Sequence, residues 1–267
     1  SSMTEVLVTP IKSQNDKNLY RLVRLANGLK VFLIQHPKEE PGMEQLSALT
    51  LNIDVGGYDD PKDAKGLSHF LEHMVFMGSE KYPKENEYHE YVANNGGDLN
   101  ASTGFKETSY YFTIDEEAFE GALDRFSSIF ISPLMLENSI ERELDSIESE
   151  YRGRMNNDYI RRLQLIYSFV RDDHQARVFI SGSINTLKNN RTNTQLYQLV
   201  HDHFRTYYVA SRMVLAVESS KSLDDLQGLI EKYFQSIKTG SARGEFIIED
   251  YKNIFKPQFY EKIFYIK

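Results

Sequence analysis

Residues 66–78 read Gly-Leu-Ser-His-Phe-Leu-Glu-His-Met-Val-Phe-Met-Gly, and no other stretch restricts so tightly what the chain can become. His69, Glu72 and His73 stand in the order H-x-x-E-H. Four residues apart on an α-helix, the two histidines lie on one face, one turn above the other. Two neutral imidazoles at that spacing can reach one zinc ion. Glu72 sits near the same face and need not be a ligand. A carboxylate beside a metal can take a proton from the attacking water and return it to a leaving amine. Phe70, Leu71, Met74, Val75 and Phe76 make the helix apolar on nearly every other side, the pattern of a buried helix. Two histidines and a glutamate cost several kcal/mol to bury unless they are satisfied, and a metal satisfies them. The bland alternative is a buried helix that happens to carry two histidines.

Composition narrows the setting. The chain has 267 residues, enough for one large domain or two small ones and for a substantial core. It has no cysteine, which excludes disulfides and thiolate metal sites and suits a reducing compartment. A net charge of −8 with mixed signs along the chain argues against nucleic acid as a partner. No apolar run approaches transmembrane length, so no membrane partner is expected. The start, Ser-Ser-Met-Thr-Glu-Val, lacks the basic and apolar regions of a secretory signal, and Ser1 and Ser2 before Met3 read as a tag scar. Together these features give a cytoplasmic expectation, with residues 1–18 an N-terminal extension.

Along the chain, Leu19 to His36 reads as a hairpin about Asn27-Gly28. Leu46 to Val55 alternates like a half-buried strand. Asn86 to Asn94 reads as a helix closed by Asn95-Gly96-Gly97. Leu99 to Phe105 and Thr108 to Asp115 read as paired strands, and Glu116 to Ile131 as a helix broken by Pro133. Leu136 to Asn157 is a long helical stretch rich in Glu and Arg, and Ile160 to Val170 is a further helix. Val178 to Lys188, which contains Gly182, fits no pattern. Asn193 to Tyr208 reads as a helix and Arg212 to Glu218 as a strand. Ser222 is set to cap a helix running to Ile237. Phe259 to Lys267 alternates like a strand that the chain leaves unfinished.

A zinc site that does chemistry needs a third protein ligand and an open position. The Glu-rich helix offers Glu137, Glu141, Glu143, Asp145, Glu148 and Glu150, and spacing alone does not choose among them. Most must simply form a solvated face. His201 and His203 are two apart on a helix and diverge. With His36, His89 and His174 they read as ordinary histidines.

Several ordered segments resemble the inverted-zincin metallopeptidases of the pitrilysin and insulin-degrading enzyme family. His69-Phe-Leu-Glu-His-Met, with Phe-Met-Gly following, is similar to that family's zinc helix. Tyr91-Val-Ala-Asn-Asn-Gly-Gly-Asp-Leu-Asn-Ala-Ser-Thr-Gly resembles the segment after it, and Thr108-Ser-Tyr-Tyr-Phe the next strand. Arg142-Glu143 with Glu150 seven residues on is similar to the family's downstream glutamate pair, and Tyr207-Tyr-Val-Ala-Ser-Arg-Met-Val-Leu-Ala-Val to a later sheet segment. The resemblance implies a Zn2+ cofactor held by His69, His73 and Glu150, with Glu72 as general base and Glu143 supporting the site from behind. It implies that Asn100 and Ala101 hold a peptide as an added β-strand. The implied fold is α+β, a mostly antiparallel sheet covered by helices on one side, over residues 19–267. The implied activity is peptide hydrolysis through a zinc-activated water. Within the family the long single-chain branch is the better match, and its members are about four times longer in four similar domains. The chain then corresponds to the zinc-bearing first domain, with peptide substrates and the remaining domains of its own polypeptide as partners; a homo-oligomer is left open. Two rivals stand beside this reading. One is a non-catalytic peptide-binding scaffold of the same fold, or a fragment inactive without its C-terminal half. The other is a structural zinc module, which needs a fourth protein ligand that the motif's surroundings do not offer.

Overall fold

A computed structural model describes residues 3–174, 177, 179–244 and 253–265. Seven strands form one sheet in the order β1-β2-β3-β7-β4-β6-β5. They are β1 (Glu5–Val6), β2 (Leu19–Arg24), β3 (Lys30–Gln35), β4 (Leu46–Ile53), β5 (Asp98–Thr103), β6 (Thr108–Asp115) and β7 (Met213–Ser219). Among the described residues β3 and β7 are the one parallel pair, and every other neighbour runs antiparallel. The helices are α1 (Leu67–Val75), α2 (Glu87–Asn94), α3 (Phe119–Ile131), α4 (Ile140–Met155), α5 (Asp158–Ser168), α6 (Ile184–Lys188), α7 (Asn193–Tyr207) and α8 (Leu223–Phe234).

The period-two alternation of the strands puts Leu49, Leu51 and Ile53 of β4, Tyr110, Phe112 and Ile114 of β6, and Leu215 and Val217 of β7 into one core. Phe70 and Met74 of α1, Phe126 and Phe130 of α3, Leu196 of α7 and Phe234 of α8 complete it. The opposite face carries the half-buried Thr50 and Ala216 and the exposed Tyr111 and Val214, so the sheet is covered on one side. This is the α+β architecture that the residues and the resemblance imply.

The hairpin forms about Asn27 and Gly28, with Gly28 at φ +95°. Asn27 does more than turn the chain: its buried Nδ2 donates to the carbonyls of Phe234 (2.9 Å) and Ile237 (3.1 Å), closing the end of α8. Ser222 caps α8 as expected, accepting from the Asp225 N–H at 3.1 Å. Within the N-terminal extension, Glu5–Val6 pairs with β2.

Three readings change. The Leu136 to Asn157 stretch is not one helix: Glu137–Ser139 is a 3-10 turn, α4 ends at Met155, and Asn157 caps α5 through the Tyr159 and Ile160 N–H groups. The unassigned stretch contains α6, preceded by irregular chain at 179–183. The expected strand at Phe259 to Lys267 is absent over 259–265, and Ile266 and Lys267 lie outside the described residues. There the rings of Phe259 and Phe264 pack tilted against Phe169, each at 4.7 Å between ring centres. Phe259 and Phe264 serve this local cluster, while Tyr265 is exposed.

Candidate metal centre

The helix that carries the motif is fixed at its N-terminus by a buried carboxylate. Asp60 accepts from the Gly66 N–H (2.8 Å), the Ser68 N–H (2.8 Å) and the Ser68 hydroxyl (2.7 Å). It thereby satisfies donors that the first turn of α1 would otherwise leave open. Burial pushes the Asp60 carboxyl up to about 6 against these donors. The Ser68 hydroxyl lies 2.9 Å from His203 Nε2 on α7. With that hydroxyl donating to Asp60, His203 must carry its hydrogen on Nε2. Burial lowers the His203 pKa to about 4, which keeps the ring neutral at pH 7.

Four residues apart on α1, the rings of His69 and His73 meet edge to face at 4.9 Å. Glu143 and Glu150 are seven apart on α4, two turns along one face, and α4 lies across α1. Glu150 places Oε2 3.5 Å from His69 Nε2 and Oε1 3.4 Å from His73 Nε2. A tetrahedral zinc with bonds of about 2.0–2.2 Å holds its ligand atoms about 3.3–3.6 Å apart. Each Glu150 oxygen lies near that distance from one of the two rings, and one ligand atom from each of the three residues falls within 4.8 Å of the others. Among the described residues this is the one cluster of metal-capable side chains. It offers three ligands, the number that a catalytic zinc site takes from its protein.

The other nitrogen of each ring is engaged. His69 Nδ1 lies 2.7 Å from the Ser181 carbonyl, and His73 Nδ1 lies 3.4 Å from Glu143 Oε2. Both imidazoles therefore present Nε2 to Glu150. Burial works against charge on His73, but the carboxylates of Glu143, Glu150 and Glu72 outweigh it and lift its pKa to about 9. Contacts to His69 and His73 hold Glu150 well below the usual carboxylate range. The field of the site thus favours a cation where the three side chains converge.

Glu72 is buried beside the triad. Its Oε2 accepts from the Thr103 hydroxyl at 2.5 Å. Burial pushes its carboxyl up, partly offset by that hydrogen bond and by the two imidazoles. All these groups line a cleft of about 600 Å³ together with Phe76, His89, Arg154, Ile180 and β5 from Leu99 to Thr103. β5 is the last strand of the sheet, so its outer edge is unpaired within the sheet. Asn100 and Ala101 lie on it, and the Asn100 Oδ1 accepts from the Ala101 N–H at 2.8 Å.

Every site residue named from the sequence comes to this one cleft, and Glu137, Glu141, Asp145 and Glu148 do not line it. Sequence reasoning missed Thr103, His89, Ser181 and Arg154. Thr103 had a signal, since alternation along β5 places it on the same face as Leu99 and Ala101. His89 was read as ordinary, yet its ring packs on Phe76 at 5.2 Å and lines the cleft.

The profile of a family described as Insulinase (Peptidase family M16) matches residues 38–178, more than half of the chain. The chain belongs to the insulinase family. The insulin-degrading enzyme homolog of Dictyostelium discoideum is 39% identical over 227 residues, covering 85% of this chain and 23% of its own length. The insulin-degrading enzyme of Homo sapiens is 36% identical over 255 residues, covering 95% of this chain and 23% of its own. The crystal structure of pitrilysin is similar with a TM-score of 0.85 at 29% identity, over 92% of this chain and 26% of that one. This insulinase-family chain therefore spans about a quarter of the length of these relatives.

Proposed function

We propose that this chain is the zinc-bearing part of an endopeptidase that hydrolyses peptides, with Glu72 as general base. The observation that carries the reading is the convergence of His69, His73 and Glu150, one ligand atom from each within 4.8 Å of the others, with Glu72 beside them, in a cleft walled by an open strand edge. Bound zinc would polarise the scissile carbonyl and acidify water at the open position.

The side chains divide the remaining work. His69 and His73 direct their Nε2 atoms toward one point, His73 giving up its proton to serve as a ligand, and Glu150 supplies the carboxylate that brings the ligand set to three. Glu143 stands behind His73 and orients its ring. Glu72, with Oε2 held by Thr103, presents Oε1 to the water, takes its proton and passes it to the departing nitrogen. Burial raises its carboxyl above the ordinary glutamate value, which strengthens it as an acceptor of that proton. A peptide adds to the outer edge of β5 as a further strand. It displaces the Asn100 side chain from the Ala101 N–H, which then binds a substrate carbonyl, leaving the Asn100 amide for the next backbone group.

Native mass spectrometry of the 267-residue chain, before and after chelation, tests the metal. One zinc per chain is expected in the parent and in Glu72→Gln, and none in His69→Ala or Glu150→Ala. Unchanged zinc in Glu150→Ala would mean that another carboxylate serves. Peptide cleavage by the full-length polypeptide should fall by about 10²–10⁴-fold in Glu72→Gln. Substantial residual turnover in that variant would remove Glu72 from its role. Peptide affinity that ignores chelation, without hydrolysis, would make the protein a scaffold.

A further inference from the structure

Ser181 lies in the irregular segment 179–183 between α5 and α6, distant in sequence from both metal-bearing helices, yet it touches a group from each. Its carbonyl lies 2.7 Å from His69 Nδ1 on α1. Its hydroxyl accepts from Arg154 Nη1 on α4 at 2.6 Å, while Arg154 Nη2 reaches Glu150 Oε2 at 3.3 Å. Arg154 and Glu150 are four apart, so an ordinary exposed helix pair would bring them together for little energy. The planar guanidinium instead spans Glu150 and Ser181, in a fork that a lysine could not form.

The segment is itself pinned on both sides. A Cβ added at Gly66, the residue before α1, would fall 2.2 Å from the Gly182 Cα, so the two backbones are in direct contact. Gly66 and Gly182 also have φ +91° and +69°, where a side chain is strained. Thr186 donates to the Lys65 carbonyl at 2.7 Å, which ties α6 to the same turn. On the other side Phe179 packs edge-on against Tyr151 of α4 at 5.4 Å. The Ser181 position is thus set by α1 and α4 together.

We infer that Ser181 is a positioning residue that serves two ligands of the metal at once, its carbonyl fixing the His69 ring and its hydroxyl, through Arg154, fixing Glu150. The inference rests on the proposed zinc site and adds to it what holds its two helices in register. A carbonyl facing Nδ1 takes the imidazole hydrogen there and leaves the Nε2 lone pair for the metal. The Ser181–Arg154–Glu150 chain keeps the third ligand from swinging out toward solvent.

Two measurements on the 267-residue chain test this. Competition with a chromogenic chelator gives the zinc Kd of the parent, Ser181→Ala, Ser181→Thr, Arg154→Ala and the double variant. Loss of an outer partner of this kind weakens metal binding by about tenfold or more, so Ser181→Ala and Arg154→Ala should each do so, and Ser181→Thr should stay within about twofold of the parent. The double variant should bind no more weakly than Arg154→Ala, since both changes break one chain of contacts. Long-range 15N NMR of the apoprotein should show neutral His69 with its hydrogen on Nδ1. A purely structural role would lower the melting temperature of Ser181→Ala and leave its zinc Kd alone. Parent-like zinc affinity in Ser181→Ala, or a His69 hydrogen on Nε2, overturns the inference. Should Ser181→Ala fail to fold, Arg154→Ala supplies the same comparison. A parent chain that takes up no zinc defeats the proposed function instead, and the tautomer still decides whether Ser181 sets the His69 ring.

Discussion

His203 sits against the N-terminus of the motif helix, and replacing it with glutamine should change how the apoprotein responds to acid. Its ring is buried, 5% exposed, and contacts the Ser68 hydroxyl through Nε2. Burial lowers its pKa from 6.5 to about 4. Between those values the unfolded chain binds a proton that the folded chain refuses, so folding stability rises with pH across the window. Each pH unit is worth about 1.4 kcal/mol, so acidification from pH 7 to pH 4 should cost about 3 kcal/mol through this residue. Asp60, one hydroxyl away, acts in the opposite sense. Its folded pKa of about 6 lies above the unfolded value of 3.8, so stability rises as pH falls through that interval, by about 3 kcal/mol. The parent should therefore show little net slope from this pair between pH 6 and 4, whereas glutamine at 203 keeps a donor for Ser68 but cannot titrate. Urea unfolding of parent and His203→Gln at pH 7, 5.5 and 4 isolates the contribution of His203, since groups common to both proteins cancel in the difference. The variant should gain about 3 kcal/mol on the parent between pH 7 and pH 4. A difference that stays constant with pH would refute the burial argument for His203.

Asp60→Ala removes the shared acceptor of two backbone N–H groups and a hydroxyl, and should destabilise the fold by about 2–4 kcal/mol in the same assay. Asp60→Asn should recover only part of this, because its amide hydrogens would face donors. Thr103→Val should lower kcat of the full-length polypeptide by about tenfold or more with zinc affinity unchanged, and Thr103→Ser should restore it, because the hydroxyl holds the Glu72 carboxylate. A parallel loss in Thr103→Ser would point to packing instead. Zinc uptake at pH 7 should release about one proton per ion, since neighbouring carboxylates keep His73 protonated up to about pH 9; calorimetry in buffers of different ionisation enthalpy counts it.

What the sequence made legible follows from how far apart the cooperating residues lie. The strands and most helices were readable because their burial is periodic and local: Leu49, Leu51 and Ile53 alternate within one strand, and His69 and His73 share a helix face whatever lies around them. The proposed third ligand was not readable from spacing, because a glutamate's direction on α4 acquires meaning only when α4 crosses α1. Glu143 shows this most clearly. Set in a highly charged helix, it is 6% exposed and faces His73, while Glu141, two residues before it, is exposed. The alternation of Phe259 to Lys267 misled over 259–265 for the converse reason, since a strand needs an open edge to pair with, and there Phe259 and Phe264 close on Phe169 instead. Ser181 lay beyond any pattern. It acts through a backbone carbonyl, which every residue possesses, and through a hydroxyl whose partner is an arginine 27 residues away. The glycines beside it carried the fainter signal. Gly66 and Gly182 permit two backbones to touch, and a contact of that kind is built where a loop must hold a helix to within a fraction of an ångström.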